Sequence, residues 1–136
     1  MILEHEENTV SMSGYYEEAT GVIYLAKGMG KLEKECVYLH ELQHKKCHNK
    51  KCICFKQADK GNFDLCEYHG FLGEVQEVYK RGSVLLARAY IKSVAGTEKN
   101  IKTDPILWSS HRKALRKIQR LKVYMNVVKL ARSNCE

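Results

Sequence analysis

Residues 40–44 read His-Glu-Leu-Gln-His. Histidines four apart share a face when the chain is an α-helix, and both imidazoles can then reach one ion. The surrounding residues allow that helix. Leu32, Cys36, Leu39, Gln43 and Cys47 recur at spacings of three or four, with Lys31, Lys34 and Glu35 off the line, which predicts a helix over 31–47. In 136 residues with six histidines and thirteen glutamates, chance gives roughly a few hundredths of such a motif per chain. Glu41 stands where a carboxylate can take a proton from water bound to the ion. Neutral imidazoles with a fourth position left open suit zinc. His40 and His44 are therefore read as metal ligands and Glu41 as the catalytic base.

A catalytic zinc needs a third protein ligand. Helical spacing returns over 63–95, where Leu65, Phe71, Val75 and Val78 supply apolar positions and Gly82 breaks or bends the run. Asp64 followed by Glu67 has the form of a capping box. Glu67 is the first candidate ligand, because Gly70 and Gly73 behind it would let this helix come close to the histidine helix. Glu74, seven residues on and on the same face, is the second, and His69 the third.

Cys47, Cys52, Cys54 and Cys66 fall within twenty residues, with His48 among them. Four thiolates would make a closed second zinc site that pins the segment between the two ligand helices. Free thiols, or disulfides in an oxidising compartment, are the other reading. Cys36, one turn before His40, is expected to face the core, and Cys135 to be exposed. Six cysteines without a basic-then-apolar leader suit a reducing, cytoplasmic compartment. No apolar run is long enough to span a membrane.

The rest of the chain reads as one α+β domain over 1–136. Residues 11–26 suggest a short β-hairpin or small sheet, packed on a helical core. Residues 48–62 and 96–103 read as loops. Asp104-Pro105 is a helix start, and one helix is expected to run to about Ala131, with Leu115, Ile118, Leu121, Met125 and Val128 as its apolar stripe. Eight of the 23 Lys and Arg lie in residues 105–135, where there is no acid, and residues 1–104 are neutral, so this segment supplies the whole positive excess of a chain whose net charge, with Glu136, is +7. Its basic stripe of Arg112, Lys113, Arg116, Lys117 and Arg120, together with lysines at 45–60, could meet nucleic acid. Aromatic interleaving is thin there, with only Phe55 and Tyr124. A zinc-stabilised nucleic-acid-binding module is therefore the alternative to an enzyme.

A strand, a helix with HELQH, and a helix opening Glu67-Tyr68-His69-Gly70 together resemble the small gluzincin-type zinc metallopeptidases. That group includes the ImmA/IrrE-like proteases and the mitochondrial ATP-synthase-processing peptidases. The likeness covers about residues 14–78. Their Glu-x-x-Ala pattern supplies the third zinc ligand, with Gly70 here in place of the alanine. The resemblance implies a zincin-like fold and endopeptidase activity on a specific protein substrate. It implies that His40, His44 and Glu67 hold zinc while Glu41 activates the attacking water. It also implies an oxyanion-stabilising residue, for which Tyr68, His69 and His111 are candidates.

Overall fold

The computed structural model describes residues 2–5 and 13–133, the first four by their backbone. It is α+β. Three strands, β1 (Ile2–His5), β2 (Gly14–Glu17) and β3 (Val22–Ala26), form a sheet in the order β1-β3-β2, with β1 parallel and β2 antiparallel to β3. Six helices follow: α1 (Lys31–Asn49), α2 (Ile53–Asp59), α3 (Asp64–Arg81), α4 (Val84–Thr103), α5 (Ser109–Gln119) and α6 (Lys122–Ala131).

The hairpin expected over 11–26 is present as β2 and β3; positions 11 and 12 lie outside the described residues. In the turn, the Thr20 hydroxyl donates to Glu17, and the Gly21 amide donates to the Glu17 carbonyl. Tyr15 and Tyr24, directly opposed across the strands, stack with centroids 4.8 Å apart. Ile23 and Leu25 alternate inward and are buried, and β2, an outer strand among the described residues, packs on α1, the HELQH helix.

Helix α3 lies at the centre, against α1 on one side and α5 on the other. Its Phe71, Val75 and Val78 meet Cys36 and Leu39 of α1, Tyr90 of α4, Ile118 of α5 and Val127 of α6 in one core. Gly82 ends α3 in the left-handed conformation, φ 65°, which glycine adopts without strain. Ser83 then caps α4 by accepting from the Leu86 amide. The expected break at Gly82 is thus a sharp boundary between two helices.

Three expectations are corrected. Residues 48–62 are not all loop, since α2 occupies the middle of the segment. Residues 96–103 are not a loop either, because α4 continues through Gly96 to Thr103. Glycine costs a helix interior only about 1 kcal/mol, and tertiary contacts such as Gln119 to Glu98 at 2.6 Å hold the helix to α5. The single C-terminal helix is two. Asp104 does cap a turn, accepting from the Leu107 amide, but the helix begins only at Ser109, and it stops where Leu121 turns extended, ψ 145°. That break resets the helical phase: Val127 becomes the buried residue of α6, and Met125, expected in the stripe, is 55% exposed. Cys36 is fully buried, as expected; Cys135 lies outside the described residues.

Candidate metal centres

His40, Glu41 and His44 sit mid-helix on α1, facing α3. His40 and Glu41 are both about 9% exposed, which is rare for such groups unless they are paired. The two imidazoles meet edge-on, centroids 4.8 Å apart. Glu67 comes from the first turn of α3. Its Oε1 lies 3.1 Å from His40 Nε2, 3.8 Å from His44 Nε2 and 3.4 Å from His111 Nε2.

The close approach of the two helices depends on the glycines. A Cβ at Gly70 would lie 2.7 Å from His40 Nε2 and Cε1 and 2.9 Å from His44 Cε1; one at Gly73 would run into the Gln43 side chain. The expectation that these glycines admit α1 is met.

The three candidate third ligands part company. Glu67 faces the Nε2 side of both histidines. Glu74 lies behind, with Oε1 3.4 Å from His40 Nδ1, where it fixes the ring rather than sharing an ion with it. His69 points away, into the cysteines. The capping box expected at Asp64 and Glu67 does not form. Phe63 occupies the cap position and Glu67 is drawn to the histidines. Asp64 accepts instead from Ser110 at 2.7 Å and from Lys113 at 3.4 Å. These bonds tie the start of α3 to α5, so that His111, next to Ser110, faces Glu67. His111 is further held edge-on between Trp108, at 4.6 Å, and Phe71, at 5.9 Å.

Charge is balanced locally. Burial opposes an imidazolium at His40, but hydrogen bonds to Glu67 and Glu74 outweigh it and raise His40 well above the ordinary histidine range. Burial likewise opposes the charged form of Glu67, yet the same bonds to His40 and His44 hold it well below the usual carboxylate range. Burial pushes Glu41 and Glu74 upward and His111 downward. A carboxylate and two imidazoles converging in a low-dielectric pocket call for a positive charge, which a proton or a cation can supply.

The donor set fits a metal. His40, His44 and Glu67 each bring one ligand atom within 4.8 Å of the others. Tetrahedral zinc with bonds of about 2.0–2.1 Å needs ligand atoms about 3.3 Å apart, and the two N–O separations, 3.1 and 3.8 Å, bracket that value.

The site opens into a cleft of about 760 Å³. Among its walls are Tyr15 and Tyr16 of β2, Phe55 of α2, Phe63, Trp108 and His111. Tyr68, an oxyanion candidate, packs instead on the core under Lys117. No sequence signal marked the tyrosines or Trp108 as cleft residues, because the sheet edge and the α4–α5 turn bring them there.

A second group lies at the far end of α1. Cys47, Cys52, Cys54 and His69 bring their sulfurs and one ring nitrogen within 4.8 Å of one another. The expected fourth cysteine, Cys66, is not among them; its thiol donates to the Cys54 carbonyl at 3.1 Å. His69 replaces it. Either group could hold a metal ion. No helix among the described residues is long and apolar enough to cross a membrane. Comparison with protein-family models, curated proteins and solved structures finds no match.

Proposed function

We propose that this chain is a zinc-dependent endopeptidase acting on a protein substrate. The observation that carries the reading is the convergence of His40, His44 and Glu67, which line a cleft of about 760 Å³ together with Glu41. Zinc, when bound, would supply Lewis acidity for the peptide carbonyl and lower the pKa of water.

The remaining work belongs to side chains. His40 Nε2, His44 Nε2 and Glu67 Oε1 would hold the ion. Glu74, accepting from His40 Nδ1, fixes the tautomer that leaves Nε2 free to bind. Glu41, buried and with its carboxyl raised by that burial, is matched to taking a proton from water and passing it to the leaving amine. His111 is the oxyanion candidate that lines the cleft beside Glu67, and burial favours its neutral form, which donates one hydrogen bond. Five free cysteines among the described residues suit a reducing, cytoplasmic setting.

The test uses zinc-loaded protein and an unstructured peptide library read by mass spectrometry. Wild type should generate new termini. Glu41→Gln should retain its zinc and lose cleavage by about 10²–10⁴-fold. New termini at equal rates in both proteins, or none from the zinc-loaded wild type, would overturn the reading.

A further inference from the structure

We propose that Cys47, Cys52, Cys54 and His69 hold a structural zinc ion, in a site separate from the one His40 and His44 form. The inference does not depend on peptidase activity.

Geometry is the first support. His69 Nδ1 lies 3.7 Å from both Cys47 Sγ and Cys52 Sγ, and all four ligand atoms fall within 4.8 Å of one another. Tetrahedral zinc, with Zn–S near 2.3 Å and Zn–N near 2.0 Å, needs S···N separations of about 3.5 Å and S···S separations of about 3.8 Å. Three thiolates and an imidazole also complete a four-coordinate shell, which leaves no position for water. That closed shell marks a structural rather than a catalytic site.

The chain is bent to make the cluster. Lys51 is the only non-glycine residue with positive φ among those described, at 54°. This left-handed residue costs about 1–2 kcal/mol. It turns the backbone so that the Cys52 amide donates to the Cys47 carbonyl at 2.9 Å, which brings the two thiols to one side. Cys54 follows one residue into α2, and its backbone is held by the Cys66 thiol. Cys66 thus supports the site without belonging to it.

The surroundings need such a staple. Cys47, Cys54 and Cys66 form a satellite core apart from the main one, and the described hydrophobic residues packed on it are Cys52, Phe55, Ala58 and Leu65. So small an apolar group gives the seven-residue α2 little to fold against. An ion would join the end of α1, the start of α2 and the second turn of α3. His44 lies three residues before Cys47, and Glu67 two residues before His69. The structural ion would therefore fix the spacing between the elements that carry the other site's ligands.

The experiment uses the full chain in the His40→Ala, His44→Ala background, purified under reducing conditions without chelator. It reads zinc per chain and then the sulfur-to-cobalt charge-transfer band after exchange with Co²⁺. One zinc per chain should remain, with a band of three-thiolate intensity. His69→Cys should keep the ion and raise the band by about a third, since intensity follows the number of thiolates. Cys66→Ser should change neither reading, and Cys52→Ser should lose the ion or weaken the band. If Cys52→Ser does not fold, the His69→Cys result still decides. A folded background variant without zinc or a cobalt band overturns the proposal. So does a loss on Cys66→Ser equal to that on Cys52→Ser, or a band that His69→Cys leaves unchanged.

Discussion

Gly70→Ala would press on both histidines at once. The added Cβ would stand 2.7 Å from His40 Cε1 and Nε2 and 2.9 Å from His44 Cε1. Relaxed carbon contacts lie at about 3.5–4.0 Å, so the rings must retreat by about 0.8 Å or the helices must part. His40 has little freedom to swing: Glu67 and Glu74 hold its two nitrogens, and Phe71 stands edge-on at 4.6 Å. Metal–ligand distances tolerate only about 0.2 Å. Zinc affinity should therefore fall by about 10–100-fold, as when an orienting partner is lost. The same methyl favours α3 itself by about 1 kcal/mol, since alanine suits a helix interior better than glycine. The two effects have opposite signs and separate readouts. Zinc affinity is measured by titration against a competing chelator, and stability by urea unfolding of metal-free protein. The expected result is weaker zinc binding, while the stability of the metal-free protein reads the balance between that helix gain and the cost, about 1–3 kcal/mol, of forcing a methyl against the rings. A zinc Kd within about twofold of wild type would refute the reasoning, because the methyl would then be absorbed without moving the ligands. Gly73→Ala is the control, since the three nearest atoms to its added Cβ all belong to the Gln43 side chain.

Tyr90 is fully buried, and its hydroxyl has no hydrogen-bond partner among the described residues. Tyr90→Phe should raise stability by about 1 kcal/mol, seen as a higher urea midpoint, because an unsatisfied hydroxyl costs about that much or more; a lower midpoint would show that the hydroxyl is satisfied. His111→Phe should lower kcat by about 10²–10³-fold with KM little changed, while zinc content stays at the wild-type level. Loss of zinc instead would make His111 a ligand. The Asp64 carboxyl is held below its ordinary value, first by the Ser110 hydroxyl and then by Lys113. A depressed folded pKa means that its contribution is present above the unfolded value, about 3.9, and is lost as pH falls through the folded value. With the side chain 41% exposed, that contribution is below about 1 kcal/mol. Asp64→Asn should therefore cost a little stability at neutral pH and nothing once the wild-type carboxyl is protonated. A constant difference across pH would point to lost packing.

Local rules made part of this arrangement legible. The i, i+4 histidines needed only the helical period around them, and the glycines of α3 announced a close approach before any partner was known. What stayed hidden depended on tertiary contact. Residues 48–62 show no period because α2 is too short to display one. Residues 96–103 read as loop because Gly96 and polar neighbours resemble one, whereas α4 is held there by contacts from α5. The break at Arg120 and Leu121 carries no glycine or proline, so nothing local marked it. The exchange of His69 for Cys66 had no local signal either. Both lie in the first turns of α3, and only the placement of α2 decides which one faces the other thiols.

Helical geometry does account for why His69 serves the cysteines and not the histidine pair. Each residue advances about 100° around the axis. Glu67 and Glu74, seven apart, therefore lie within about 20° of each other, two turns apart along the helix. From that shared face Glu67 reaches Nε2 of His40 and Glu74 reaches Nδ1 of the same ring. His69 stands about 200° from Glu67 and so faces away from the histidine pair, toward Cys47 and Cys52. A helix that presents a carboxylate to one ion cannot turn its next-but-one neighbour to the same ion. The ligand spacing on α3 thus separates the two candidate centres, and α1, which carries His40, His44 and Cys47, joins them.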